Sequence, residues 1–423
     1  MSNTVPCALI GMALLAASGA GAVDNATVPA VSFDEAVRRA VENNFDVARA
    51  ATAILSADAL LGKARAAILP TLVAYAAESV ENEATSFGGV EIQPRDQLSV
   101  GAMLAVPVLT AARWAAKNHA ADQVEVARLQ AAEVRRQVAV ATGQAYLAVI
   151  AARRQVEIDE RARDNAQAQY DYAQTRFDAG AGTRLDASRA ADVLSTNRVL
   201  VERSRLALTL SQEGLGVLLA ADGPVDAAAE PIFEIPAQDA EPNLSTRADL
   251  RLRTKEREAA DRVLRDSWRD YLPELVASFD PLYVDPAGAY QDSSSWRAVL
   301  ALSFPIYLGG ERGADRQLRA AALESATIDL AQDELRARAE VRAARAAMEA
   351  AERGLAHARE AAERANEVLT ITDKAFRAGA RTNIELVDAQ RRARDAETAV
   401  GRAEDLLRLA KLDLLTALGL FGS

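Results

Sequence analysis

The chain has 423 residues, of which 50% are hydrophobic, 26% are charged and only 5% are aromatic. Its formal charge of -11 argues against a nucleic-acid partner, because phosphates require a basic face. A single cysteine, Cys7, cannot build a zinc, iron–sulfur or disulfide site. The two histidines, His119 and His357, are expected to be solvated helix residues rather than ligands. We therefore expect no cofactor, no metal site and no enzymatic activity.

An apolar run precedes the first charged side chain, Asp24, and ends in small residues with Ala20-Gly21-Ala22 in an A-x-A arrangement. This pattern predicts a secretory signal peptide, residues 1–22, cleaved after Ala22. Its first residues include no Lys or Arg, so an uncleaved anchor or a misplaced start is the alternative. No later apolar stretch reaches the about 18 residues that a membrane helix needs, which indicates an exported protein without transmembrane helices.

Four later segments alternate in the manner of β-strands. The clearest are "QLSVGAMLAV" (97–106) and "SWRAVLALSF" (295–304), and weaker partners precede them at 71–80 and 274–283. Each has about the nine to eleven residues of a transmembrane strand. Four strands are too few to close a barrel, so a sheet in lipid must be shared between chains. A small soluble sheet on a helical bundle is the alternative.

The segments that join the strands are polar, whereas the segments that follow each strand pair have the composition of helices. Polar loops, 82–96 and 284–294, join each strand pair, and Pro107 and Pro305 are expected where strand passes into helix.

Long helices are predicted over 111–177 and 311–376, which lack proline and are rich in Ala, Arg and Glu. In the second helix, large side chains recur every seventh residue and small ones follow three positions later, as in a coiled-coil seam. These seventh positions are Val341, Met348, Leu355, Ala362, Leu369 and Phe376, of which only Ala362 is small. A structural coiled-coil rod would have the same periodicity.

Each long helix is followed by a related turn, "RFDAGAGTRLDA" from Arg176 and "AFRAGARTNIEL" from Ala375. Gly180 and Gly379 can adopt the left-handed conformation that ends a helix. The Thr residues that follow, each with an acid three positions on, are typical of capping boxes. These boxes begin return helices predicted over 185–219 and 384–418, so each long helix forms a hairpin.

The spacing of these features indicates an internal duplication. Gly180 lies 73 residues after Pro107, and Gly379 lies 74 residues after Pro305. Spacing held so closely predicts two structural repeats, residues 23–220 and 242–423, joined by a linker at 221–241.

Together these motifs resemble the TolC-like outer-membrane efflux proteins, the outer membrane factor family, over about residues 32–420. The resemblance rests on "SFDEAVRRAVENNFDVARA", the segments ending at Pro70 and Pro273, "FPIYLGG" and the duplicated turn. It implies an α+β membrane protein with long antiparallel coiled-coil helical hairpins. In that family three chains contribute four β-strands each to a twelve-stranded barrel, and their helices form a tunnel across the periplasm.

The resemblance also implies the function and partners. The chain would be the outer-membrane exit duct of a tripartite efflux or secretion system, a homotrimer embedded in outer-membrane lipid. An inner-membrane pump and a periplasmic adaptor would supply energy and substrate. A periplasmic coiled-coil scaffold or adaptor without a pore is the alternative from another class, and the cargo is not identified.

The site residues follow from the same resemblance. Glu385 and Asp388 would form acidic rings at the periplasmic constriction, and Arg381, with Asp186 as its partner, would hold that gate shut. The family has Asp where this chain has Glu385, and Ala380 replaces a hydroxyl residue. From the residues alone, Glu385 is equally a helix-capping acid. The turns 178–184 and 377–383 are the implied adaptor-docking surface, with Gly180, Gly182, Thr183, Gly379 and Thr382.

Overall fold

The computed structural model of this chain describes residues 28–236 and 244–422. The signal peptide predicted at residues 1–22, with its cleavage site after Ala22, lies outside the described residues. So does part of the predicted linker, residues 237–243.

The chain alternates helices with a small number of strands. The first half contains β1 (Ala30–Val31), α1 (Phe33–Asn43), α2 (Phe45–Ala66), β2 (Thr71–Val80), β3 (Thr85–Phe87), β4 (Val90–Gln93), β5 (Asp96–Leu109), α3 (Ala111–Asp178), α4 (Arg184–Leu218) and β6 (Asp226–Ala227). The second half contains a 3₁₀ turn (Leu244–Thr246), α5 (Ala248–Arg265), a second 3₁₀ turn (Asp266–Tyr271), β7 (Glu274–Asp285), β8 (Ser294–Ser303), α6 (Glu311–Arg377) and α7 (Asn383–Ala417).

The two long helices, α3 and α6, have 68 and 67 residues, which corresponds to about 100 Å each at 1.5 Å per residue. Both end within one residue of their predicted limits, and α4 and α7 return alongside them as hairpins. The heptad positions of α6 face the hairpin partner, because Val341, Met348 and Leu355 are buried while the residues between them are largely exposed. None of the helices within 28–236 and 244–422 combines the length and the apolar character needed to cross a membrane.

The two long helices differ in how much they are covered. α3 packs against α1, α2, α4, α5 and α7, whereas α6 packs mainly against α7 and, over its first half, α5. Apolar side chains on that first half remain exposed, namely Leu318, Ile328 and Leu335. Most of the surface that a single chain buries therefore surrounds α3.

The main core lies midway along α3. Tyr146 is fully buried there, and its ring meets the edge of Phe33 with the centroids 5.4 Å apart. Phe33 also contacts Phe233 and Phe421, at 5.3 and 5.8 Å between centroids. The Tyr146 hydroxyl lies 2.8 Å from the Ala229 carbonyl and 3.1 Å from that of Val31. The core thus ties the beginning, middle and end of the chain together.

The sheet has four antiparallel strands in the order β2-β5-β7-β8, with β2 and β8 as its edges. The register aligns like residues on each face: Leu104 lies opposite both Leu72 and Phe279, and Phe279 lies opposite Ala298. One face carries large apolar side chains and the other carries smaller and more polar ones, so the alternation expected from the sequence is confirmed.

Three details differ from the sequence expectations. Pro107 lies inside β5 opposite Val276, and the strand continues through a register shift to Leu109, because a bulge accommodates the missing N–H. The loop at 82–96 contains its own hairpin, β3 and β4, around Gly88 and Gly89. The segment predicted as a linker contributes β6, which pairs in parallel with β1.

Candidate functional site at the hairpin turns

The first hairpin turn ends α3 with a Schellman motif, in which backbone N–H groups cap the last carbonyls. Gly180 has φ +71°, its N–H donates to the Phe177 carbonyl at 2.9 Å, and the Ala181 N–H donates to the Arg176 carbonyl at 2.8 Å. A residue with a Cβ is strained at that φ, which explains the glycine. The turn is exposed and is held by backbone geometry rather than by packing.

The second turn repeats this geometry at the end of α6. Gly379 has φ +76°, its N–H donates to the Phe376 carbonyl at 2.9 Å, and the Ala380 N–H donates to the Ala375 carbonyl at 2.8 Å. Two turns with the same hydrogen bonds follow from the repeated A-G-A sequence. They present similar exposed loops at the same end of the helical region.

The residue two positions after the turn glycine, Gly182 in the first turn and Arg381 in the second, distinguishes the two hairpins. A Cβ on Gly182 would lie 3.1 Å from backbone and side-chain atoms of Arg176 and Phe177, so the first turn is tightly closed there. The second turn has Arg381 at the equivalent position, with its side chain 58% exposed. The hairpins are therefore alike in backbone and different in charge.

Glu385 caps α7. Its carboxylate accepts hydrogen bonds from the Thr382 backbone N–H at 2.8 Å and from the Thr382 hydroxyl at 3.0 Å, completing the predicted capping box. Arg381 donates to the same carboxylate at 2.6 Å. The Thr382 N–H, the Arg381 guanidinium and the Thr382 hydroxyl lower the pKa of Glu385 to about 2. Glu385 is thus an ionised cap at any ordinary pH.

The other predicted gate residues have partners nearby in sequence. Asp388, one turn along α7, lies 2.8 Å from an Arg392 guanidinium nitrogen and 3.7 Å from one of Arg391. Asp186 accepts from the Thr183 hydroxyl at 2.7 Å, and its backbone N–H donates to that hydroxyl at 3.1 Å. The structure thus brings Arg381 to Glu385 rather than to Asp186 within one chain. A pair between Arg381 and Asp186 stays a prediction.

An aromatic contact joins the two hairpins close to the turns. The rings of Tyr172 on α3 and Phe376 on α6 meet edge to face with centroids 6.2 Å apart. The Arg176 guanidinium lies 5.9 Å from the centroid of Tyr172. Farther along, Arg394 of α7 donates to the buried Asn197 of α4 at 3.0 Å. These contacts fix the spacing of the two turns within one chain.

An ionic network missed by the sequence analysis also connects the hairpins. Arg154 of α3 lies 2.8 Å from Asp405 of α7, Arg408 lies 3.1 Å from the same carboxylate, and Glu230 contacts both guanidinium groups. Burial raises the pKa of Asp405 although both arginines act to lower it. The partners are separated by up to 251 residues, so no local pattern could reveal them.

The histidines behave differently from each other. His357 is exposed, as expected. The expectation for His119 was wrong: its Nε2 lies 2.9 Å from Asp266 in a partly buried contact between α3 and the 3₁₀ turn before β7. Within the described ranges, no cluster of three or more His, Cys, Asp or Glu side chains is arranged to hold a metal ion.

The Glu385 cap predicts a local pH dependence. Because its pKa falls from the ordinary value near 4.5 to about 2 on folding, its stabilisation is complete above pH 4.5 and is lost as pH falls to about 2. Hydrogen exchange of the 378–386 backbone, corrected for intrinsic rates, should therefore accelerate severalfold over that interval. Glu385→Ala, which leaves no side-chain acceptor for the Thr382 N–H, should already exchange fast at pH 6. Asp186→Ala, in the turn after α3, should leave exchange of the 378–386 backbone unchanged. Equal exchange in wild type and Glu385→Ala at pH 6 would contradict the capping role.

Comparison with known protein families finds one whose model matches most of this chain. A family model described as Outer membrane efflux protein matches residues 36–221 and 243–420. The outer membrane protein OprJ of Pseudomonas aeruginosa is 28% identical over 313 residues, which are 71% of this chain and 65% of OprJ. The match thus spans slightly less than two thirds of that relative.

Solved structures share the fold across nearly the whole chain. A membrane protein from Pseudomonas aeruginosa superimposes with a TM-score of 0.81 at 22% identity, covering 93% of this chain and 91% of that one. The CmeC outer membrane channel of Campylobacter jejuni superimposes with a TM-score of 0.80 at 16% identity, covering 98% and 94%.

Proposed function

Since the chain belongs to the outer membrane efflux protein family and is an outer-membrane protein that extends into the periplasm, we propose that it is a passive exit duct of a tripartite efflux or secretion system. The observation that carries the proposal is the four-stranded sheet with one apolar face, set at the end of helices about 100 Å long. CmeC, which has the same fold, is an outer membrane channel.

The sheet supports a shared barrel. In lipid, unpaired backbone groups on the edge strands β2 and β8 would cost several kcal/mol each, so the edges require partners. Three copies contribute twelve strands, which exceeds the about eight that a membrane barrel needs. The exposed apolar side chains of α6, at Leu318, Ile328 and Leu335, then have a neighbouring chain to pack against.

The helices support a tunnel with a gate at the hairpin turns. Each chain is built of two repeats, residues 23–220 and 242–423, so a homotrimer surrounds its axis with six hairpins. Glu385 and Asp388 form the acidic rings of the constriction. Arg381 holds the constriction closed and exchanges between Glu385 of its own chain, 2.6 Å away, and Asp186.

The two turns are the docking surface for the partner proteins. Gly180, Gly182 and Thr183 in one turn, and Gly379 and Thr382 in the other, are positioned by the helix caps and present backbone groups to solvent. A periplasmic adaptor contacts these turns, and an inner-membrane pump supplies the energy. The duct itself requires no cofactor and catalyses no reaction.

Fractionation tests the proposal directly. The protein should be recovered from outer-membrane fractions as a heat-modifiable trimer, and the purified trimer should conduct ions in a planar lipid bilayer. Heating should convert it to monomers that migrate differently on a gel. Recovery as an elongated monomer in the soluble periplasmic fraction would instead support the scaffold alternative.

A further inference from the structure

The register of the sheet divides its residues into two faces. Leu104, Phe279, Leu300 and Trp296 belong to the apolar face, with Trp296 70% exposed in the single chain. The other face mixes polar side chains with Gly101 and with apolar side chains such as Val276 and Val299. Its polar residues are Tyr75, Ser99, Ser278, Asp280, Arg297 and Ser303. In a membrane the apolar face contacts lipid, and the other face lines the interior.

Two charged residues lie opposite each other on the inner face. Asp280 of β7 and Arg297 of β8 are cross-strand partners, with the Arg297 Nε 4.0 Å from the Asp280 carboxylate. The Ser278 hydroxyl also donates to that carboxylate at 3.3 Å. Among the described strand residues of this face, the remaining charge is Glu274, at the end next to the helices. The pair therefore dominates the charge of the strand interior.

The two charges differ in their exposure. The Arg297 side chain is 77% exposed, whereas that of Asp280 is 15% exposed. The Asp280 side chain lies close to the sheet and orients Arg297, whose guanidinium projects away from the sheet. A solute passing along this face meets the positive charge before the negative one. At 4.0 Å the contact is at the limit of an ion pair, so the guanidinium keeps donors free for other groups.

We propose that Arg297, positioned by Asp280, is a selectivity residue inside the barrel that binds anionic groups of permeating solutes. The inference rests on the proposed function, because only a closed sheet has an interior. Three copies would place three guanidinium groups at one level of the duct. Carboxylate, phosphate and sulfate groups are the chemical classes that a guanidinium recognises. The outer-membrane section would then favour anions, whereas the acidic constriction at the hairpin turns would favour cations.

Ion selectivity in planar bilayers tests the assignment. In a KCl gradient, the full-length Arg297→Gln protein should have a K⁺-to-Cl⁻ permeability ratio about threefold higher than the parent, the factor expected when a Coulomb energy near the thermal energy is lost. Asp280→Asn should shift the ratio in the opposite direction, and Arg297→Lys should leave it close to the parent value. An unchanged ratio in Arg297→Gln overturns the proposal.

Cysteine labelling provides a second, independent measurement. In a Cys7→Ala background, Arg297→Cys should react with a negatively charged, water-soluble thiol reagent and the channel should become more cation-selective. Trp296→Cys, the neighbouring residue on the lipid face, should not react. Labelling of Trp296→Cys in place of Arg297→Cys would overturn the assignment of faces. If the parent protein forms trimers but no pore, the proposed function fails and this inference fails with it.

Discussion

Replacing Arg381 with Ser is expected to raise the conductance of the proposed channel in a planar bilayer about fivefold. The substitution removes the cation proposed to hold the constriction closed, and the weak surface ion pairs that this cation makes are lost. The guanidinium lies 2.6 Å from the Glu385 carboxylate and is 58% exposed, so its removal leaves the fold of the turn intact. The Glu385 carboxylate keeps its bonds to Thr382 and continues to cap α7. The variant therefore separates the gating role of the arginine from the capping role of the glutamate.

Arg377 provides the matched control for this experiment. It is the last residue of α6, four positions before Arg381, is 71% exposed and pairs with Asp373 at 3.0 Å. Arg377→Ser removes the same charge from the same region without touching the proposed gate and should conduct like the parent. The gate assignment fails if Arg381→Ser has parental conductance, or if both variants open the channel equally.

Replacing Tyr146 with Ala should cost about 4 kcal/mol of stability, the usual effect of emptying a buried aromatic site. The side chain is fully buried, and its ring packs against Phe33 at 5.4 Å. Loss of the hydroxyl also leaves the carbonyl of Ala229 without its contact at 2.8 Å. Thermal unfolding followed by far-ultraviolet circular dichroism in detergent should show the loss as a lower midpoint at a fixed heating rate.

Two further variants calibrate the measurement. Tyr146→Phe keeps the ring and should cost only about 1 kcal/mol, the typical net value of a hydrogen bond. Tyr172→Ala removes a tyrosine that is 42% exposed near the turns and should change the midpoint little. If Tyr146→Ala unfolds at the parental midpoint, the region around Phe33 is not the structural centre of the chain.

The four helices of the two hairpins could be predicted from the sequence almost residue by residue, because local capping residues determine where they meet the turns. Gly180 and Gly379 terminate the long helices, and Thr183 and Thr382 begin the return helices, each through hydrogen bonds that span at most five residues. Strand β2 was predicted with the bounds that the structure gives. Helix-capping residues and the alternation of apolar and polar residues are therefore enough to predict the hairpin helices and this strand.

Features that depend on distant partners could not be predicted in this way. Pro107 was expected to end its strand, but pairing with β7 continues through Pro107 itself and, after a register shift, to Leu109. His119 was expected in solvent because nothing nearby in sequence identifies Asp266 as its partner. The differing burial of α3 and α6 could not be predicted either, because it depends on which other helices pack against each of them. Each of these outcomes is decided by tertiary contacts.

At the candidate site, sequence reasoning found the caps but not the ion-pair partners. The cap of Glu385 follows from a short motif, and the structure contains it. Asp388 was assigned by family resemblance alone, and its contact with Arg392 at 2.8 Å is a local i, i+4 pair that the charge pattern could have suggested. The pair between Arg381 and Asp186 remains a prediction.

The even number of strands in the sheet has a consequence for assembly. Because β2 and β8 run in opposite directions, the free edge of one copy can always receive the free edge of the next in antiparallel pairing. Such a seam joins any number of copies without a change of polarity. In the proposed shared barrel the strands therefore leave the number of copies open, and the packing of the helices between neighbouring chains would select it. In that assembly, we expect substitutions that enlarge or reduce the side chains between neighbouring helices to change the diameter of the proposed pore while the sheet stays the same.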